Sequence, residues 1–255
     1  MIRPILLIAG RELRAYVERP SSWVLATLGL LPMGIYFGAR IWFYSQAVSS
    51  PDVAAYVDLD PSAALLTPFY EFSAFVFLLL LPLWSMRLLT EERNTNVLSL
   101  LLSSPITPGQ LVVGKFLGIF AFFAVFLALV SLMPLMLMLF GDPDPRTLMT
   151  GLGGLLLLGA VMLAVGTAAS AMTNNGLVAA ALTITVLLVL LMAGFLDDPS
   201  RSDPVTGGLR VLAVWNHAGR LWEGLVLLSD IVASFAITTF FLVLARQRVD
   251  AMTWR

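Results

Sequence analysis

Gly109–Phe116 reads GQLVVGKF, one residue short of the phosphate-loop pattern G-x-x-x-x-G-K-[ST]. Lys115 within it is the only lysine in the chain. A phosphate loop needs a Ser or Thr hydroxyl after the lysine to hold Mg²⁺. Phe116 has no oxygen to offer, and the run Phe116–Gly141 that follows carries no charged residue. Such a run opens a membrane helix, whereas a phosphate loop opens a soluble one. Lys115 therefore reads as a charge placed at a membrane edge. His217 is the single histidine and there is no cysteine. Zinc would need further N or S ligands, and Glu223 and Asp230, the nearest acids in sequence, do not make a metal pattern with it. A capping or packing role in a partly re-entrant segment suits His217, flanked by the interface residues Trp215 and Trp222.

Asp230 and Glu71 fall near the outer ends of apolar stretches. Ionisable groups in a membrane are functional candidates, and at helix ends they reach water. Met133, Met136 and Met138 have no Cys or His beside them to make a soft-metal path, so they read as adaptable packing. Gly151, Gly154 and Gly159 permit close helix approach and suit subunit packing. No nucleophile–base pair is visible at membrane depth.

These residues sit in a chain of 255 residues that is 59% hydrophobic and 12% charged. Soluble domains carry roughly 25% charged residues. So apolar a chain needs lipid as its solvent. The formal net charge is −1 and the basic residues are dispersed, which gives no nucleic-acid patch. MIRPILLIAGRELRAYVERP has too short an apolar run, too soon followed by charge, for a signal peptide.

The expected fold is an all-α polytopic membrane protein in one domain with six spans. These are Ser22–Tyr44, Phe69–Leu89, Val112–Phe140, Leu148–Met172, Leu177–Leu196 and Gly224–Ala245. Pro32, Pro82 and Pro134 lie inside spans, where membranes tolerate them. Residues 1–20 form an amphipathic helix on the inner membrane surface, with Ile5, Ile8, Leu13, Tyr16 and Val17 near one face. Six spans put both termini on one side. With that side cytoplasmic, Arg3, Arg11, Arg14, Arg19, Arg87, Arg93, Lys115, Arg246, Arg248 and Arg255 lie inside. Arg40, Arg146, Arg201, Arg210 and Arg220 lie outside, ten against five, as the positive-inside rule requires. Residues 197–223 make the largest external loop.

The segment at 90–110 is the most structured of the connections. Thr90 suits a helix cap and Glu91 and Glu92 its positive end. Val97, Leu98, Leu101 and Leu102 make an apolar stripe, and Pro105 and Pro108 stop the helix with Thr107 as a turn or cap residue.

TEERNTNVLSLLLSSPITPGQLVVGKFLG resembles the signature of ABC type-2 transporter permeases. That signature has an acidic pair and a basic residue, a helix ending in leucines, a Ser-Pro turn and a Gly-Lys pair opening a membrane helix. Glu91, Glu92, Arg93, Leu98, Leu100, Leu101, Leu102, Ser104, Pro105, Gly114 and Lys115 stand at the matching positions. Asn96, Val97 and Ser99 depart from a Gly-Thr-Glu run usual there. Gly151–Ala179 and the pair Asn216–His217 are similar to the gliding-motility-associated subgroup.

The resemblance implies a permease with a coupling helix at residues 90–110, docking separate cytoplasmic ATPase subunits that hold the ATP and Mg. The chain itself would bind no cofactor and catalyse nothing. It also implies a second permease copy or related subunit, a bacterial inner membrane, and, for the subgroup, a membrane-anchored partner with a large external domain. Glu91, Glu92, Arg93, Leu98, Leu101, Leu102 and Pro105 would make the ATPase contact, and Lys115 an inner-face charge that snorkels or pairs with a neighbour. Asn216, His217 and Asp230 are the candidates on the external side. The outcome would be export or mechanical work on the external partner. An ATP-independent secondary transporter is the alternative.

Overall fold

The computed structural model of this chain describes residues 2–49, 60–90, 107–140, 143–195 and 210–253. Among the described residues the chain is helical, without strands. The elements are α1 (Ile2–Glu18), α2 (Pro20–Ser49), α3 (Ser62–Ser85), α4 (Pro108–Phe140), α5 (Pro145–Met172), α6 (Gly176–Phe195), α7 (Val214–Trp222) and α8 (Leu228–Thr253). Six of them, α2 to α6 and α8, are long and apolar enough to cross a membrane.

The helix ends follow local chemistry. Asp144 caps α5: its side chain accepts from the Arg146 amide at 3.1 Å and from the Thr147 hydroxyl at 3.2 Å, and Pro145 occupies the first turn. Asn175 caps α6 by accepting from the Leu177 amide at 2.9 Å. Thr107 and Gln110 cap α4 reciprocally: the Thr107 amide donates to the Gln110 side chain at 3.1 Å, and the Gln110 amide to the Thr107 hydroxyl at 3.4 Å. This is a capping box, with Pro108 at the first helical position. Gly224 takes φ +84° just past α7, and the Leu225 amide reaches back to the Arg220 carbonyl at 2.9 Å. That closes α7 in a Schellman motif, which a left-handed glycine allows.

Several expected boundaries move. The second span starts earlier, at a π-helical turn over Ser62–Leu66, and ends at Ser85, followed by a turn over 86–89. The sixth starts later, at Leu228, because Gly224 breaks the helix, and α8 runs past Ala245 to Thr253. The last part of the expected 197–223 loop is the buried helix α7, not loop. Pro32, Pro82 and Pro134 do lie inside helices.

α3 and α5 are the most enclosed spans and α2 the least. α5 is the centre because its glycines admit large side chains. A Cβ at Gly151 would stand 2.1 Å from the Tyr70 ring, one at Gly159 2.2 Å from Phe123, and one at Gly166 2.0 Å from the Ser85 hydroxyl. Gly154 likewise faces Trp222. Gly151, Gly154 and Gly159 thus serve packing within the chain rather than between subunits. Close approach through small residues is how membrane helices gain dispersion contacts, since lipid gives them no hydrophobic drive to associate. The outward faces remain apolar: Leu28, Ile35, Val189, Phe235 and Phe240 are exposed.

Candidate functional site

The bundle has two ends. The foot gathers α1, the C-terminal ends of α3, α5 and α8, and the starts of α4 and α6. A cluster of Leu89, Leu111, Val112, Ala168, Ala171, Ala245 and Val249, with Ile8 against it, fills the foot. The opposite end, the head, is covered by α7.

At the foot, α1 lies in a seat on α4 made by Gly114 and Gly118, one turn apart. A Cβ at Gly114 would meet Ile8 at 2.8 Å, and one at Gly118 would meet Glu12 Cβ at 2.5 Å and the Ala9 carbonyl at 2.9 Å. The glycine of the near-phosphate-loop stretch is therefore a seat for a helix. α1 buries Tyr16 and partly buries Ile5, Ile8, Ala9, Glu12 and Leu13, while Val17 is exposed, contrary to its expected place on that face. The helix packs on α4 and does more than lie on a membrane surface; Leu6 and Leu7 point outward.

Lys115 sits between the two glycines and is buried, at 3% exposure. Its Nζ donates to Glu12 Oε2 at 3.1 Å and to the Leu88 carbonyl at 2.8 Å. An ammonium removed from water needs a paired charge and acceptors for its protons, and both come from elements remote in sequence. Of the two expected behaviours, snorkelling or pairing with a neighbour, Lys115 shows the pairing. Alongside it the Tyr16 hydroxyl donates to the Trp84 carbonyl at 2.8 Å, and Tyr16 stacks on Phe122 at 5.5 Å between ring centroids. Trp84 meets Phe122 edge-on at 5.0 Å. The Trp23 indole donates to the Val17 carbonyl at 2.8 Å and fixes the elbow between α1 and α2.

These ties converge on the two margins of residues 91–106. On the leading side, Leu88, Leu89 and Thr90 are buried, and the Thr90 hydroxyl donates to the Met86 carbonyl at 2.7 Å. On the trailing side stands the Thr107–Gln110 cap, two turns before Lys115. Glu91, Glu92, Arg93, Leu98, Leu101, Leu102 and Pro105 lie outside the described residues. The junction could be partly anticipated from Gly114-x-x-x-Gly118 around the only lysine; Glu12, Leu88 and Tyr16 as its partners could not.

At the head, Asp230 is completely buried at the start of α8, so it does not reach water as its place near a helix end suggested. Arg220 donates through Nε to Asp230 Oδ2 at 2.9 Å and through Nη2 to Oδ1. His217 Nδ1 lies 2.8 Å from Asp230 Oδ1 and 2.8 Å from Arg220 Nη2. His217 and Arg220, three apart on α7, share one helix face, so the carboxylate ties α7 to α8. His217 Nε2 makes no hydrogen bond among the described residues. Asn216 is not part of this cluster: its Nδ2 donates to the Gly194 carbonyl at 2.9 Å and holds the end of α6. Thr67 donates to the Trp222 carbonyl at 3.2 Å, joining α3 to α7. Arg220 does not announce itself as the partner of Asp230 in the sequence, because it lies ten positions away on a different helix. Glu71 is exposed. Among the described residues no group of three or more His, Cys, Asp or Glu is placed to hold a metal ion.

Two buried charge clusters pin short helices, α1 and α7, to opposite ends of a glycine-centred bundle. Residues 6–212 match the protein family described as ABC-2 family transporter protein. No curated protein matches the chain.

Proposed function

This chain belongs to the ABC-2 transporter family, and from that premise we propose that it is the permease subunit of an ATP-driven complex whose separate cytoplasmic ATPase subunits bind ATP and Mg. The observation that carries this reading is the Glu12–Lys115–Leu88 junction. It joins α1, the end of α3 and the start of α4 around the segment 91–106, which is where an ATPase would push. A force on that segment is delivered at Leu88 and Thr107 to two spans at once, and through Lys115 to α1. Buried, charge-assisted contacts transmit such a force with little slack because they tolerate little change in geometry.

In this reading Glu91, Glu92, Arg93, Leu98, Leu101, Leu102 and Pro105 form the ATPase contact, the foot faces the cytoplasm with both termini, and the complex holds two permease subunits. The head, closed by α7, faces outward. The motion serves export or work on an external, membrane-anchored partner of the gliding type. The chain itself is not a catalyst.

Affinity purification of the tagged chain from native membranes in mild detergent tests this. An ABC ATPase is expected to co-purify, and to be lost from Glu92→Arg and from Leu101→Asp/Leu102→Asp while both variants still insert. Failure to recover an ATPase under any gentle condition, from a chain that is stable alone, overturns the proposal and leaves ion-gradient transport as the reading to pursue.

A further inference from the structure

A groove of about 600 Å³ opens at the foot between α1, α4 and α8. Its two ends differ chemically. Thr107, Gln110 and Arg246 stand at one end, and Val113, Leu242 and Val243 line the floor. On α8 the lining runs from Thr239 to Arg246, seven residues or about 10 Å along the helix. That gives an apolar trough beginning in the spanning part of α8 and ending under a cation. The Arg246 side chain lies across the backbone of Gly109, its Cδ 3.4 Å and Nε 3.5 Å from where a Cβ there would be, an ordinary van der Waals distance. Arg246 is exposed, Val243 is 45% exposed, and no acid or carbonyl meets the guanidinium among the described residues.

We infer that this groove holds an anionic phospholipid of the leaflet at the foot, its headgroup phosphate on Arg246 and the upper part of one acyl chain on Val113, Leu242 and Val243. The polarity of the groove selects this occupant. A soluble anion has no use for the apolar trough, and a partner helix of uniform apolarity would leave the guanidinium desolvated and unpaired, which is costly. A lipid satisfies both ends at the depth where α4 begins and the apolar run of α8 gives way to Arg246 and Arg248. Guanidinium is also suited to phosphate, with a planar fork of donors. A lipid here touches Thr107 and Ile5, and so borders both the margin of segment 91–106 and the seat of α1. The inference needs only the membrane-spanning fold and does not rest on the ATPase reading.

The full chain, reconstituted in phosphatidylcholine vesicles with trace spin-labelled phosphatidylglycerol or spin-labelled phosphatidylcholine, gives the motionally restricted fraction of each lipid. The wild type is expected to favour the anionic label. Arg246→Gln should lower that preference by about fivefold, the size expected for one basic residue facing anionic lipid, while Arg248→Gln, outside the groove lining, keeps it. Val243→Trp, which fills the trough, should reduce the restricted fraction of the anionic label with Arg246 still present. A wild type without preference, an Arg246→Gln variant that retains it, or a Val243→Trp variant with unchanged restriction would each overturn the assignment.

Discussion

Glu12 and Lys115 are 103 residues apart in sequence and meet at 3.1 Å beneath the surface of the foot, with side chains 19% and 4% exposed. The pair holds a helix that would otherwise be a surface appendage against the third of the six spans.

Removing either partner should therefore cost far more than removing both. Lys115→Met strands a half-enclosed carboxylate and Glu12→Leu strands an ammonium, each losing about 3–5 kcal/mol as expected for a broken buried pair. The double variant replaces charge with apolar volume and should regain most of the loss. Thermal unfolding of the four proteins in one detergent gives the coupling energy directly. Additive losses would mean the pair does not function as a unit.

The glycine seat predicts a steric effect independent of charge. Gly118→Val places methyl groups into Glu12 and the Ala9 backbone, and backbone cannot move aside, so α1 must lift. Overpacking of this kind costs about 1–3 kcal/mol. A cysteine introduced at Leu13, partly buried in the seat, should become rapidly reactive to a soluble maleimide in the Gly118→Val background. The control is Gly153→Val, where a Cβ meets nothing within 4 Å. Equal labelling in the two backgrounds would remove the seat from the account.

At the head the prediction is an asymmetry. Arg220 is 32% exposed and Asp230 not at all. Arg220→Met leaves a fully buried carboxylate with only His217 and the more distant Ser229 hydroxyl beside it, and should lose about 3–5 kcal/mol. Asp230→Asn leaves an arginine that can turn toward water and should lose distinctly less. Unfolding midpoints of the two variants decide the matter; equal losses, or the reverse order, contradict the geometry.

Gly151→Ala should destabilise through a single methyl, because its Cβ would enter the ring of Tyr70. Tyr70 is fully buried and its hydroxyl donates to the Leu148 carbonyl at 3.2 Å, so it has no free rotamer to take. The loss should be about 1–3 kcal/mol, and Tyr70→Leu in the same chain should relieve part of it. A Gly151→Ala variant as stable as the parent would show that α5 and α3 are less closely seated than a 2.1 Å approach of that Cβ to Tyr70 requires.

Long charge-free runs such as Phe116–Gly141 could belong only in lipid, so the six spans were legible from composition and length alone. Local chemistry was legible too. Thr107, expected as a turn or cap residue, caps α4 with Gln110, because capping uses only residues within a few positions of one another; Gly224, expected to open the sixth span, instead ends α7. Helix limits moved at Ser62–Leu66, where a π-helical turn joins the span ahead of Thr67-Pro68, and past Ala245, where the helix continues beyond its apolar run.

The pairing of charges was not legible at all. Lys115 announced itself as the only lysine, yet nothing local distinguishes Glu12 from Glu18 as its partner, and Leu88 contributes a carbonyl that every residue possesses. Asp230 read as a helix-end acid that reaches water, and it became buried because α7 folds back over the bundle and brings Arg220 and His217 to it. Sequence by itself determined which segments must leave water, since that depends on transfer energy summed along the chain. Only the tertiary structure decided which glycine receives which side chain and which buried charge meets which, since those depend on helices packing to fixed distances, and a charge that misses its partner there has no water to fall back on.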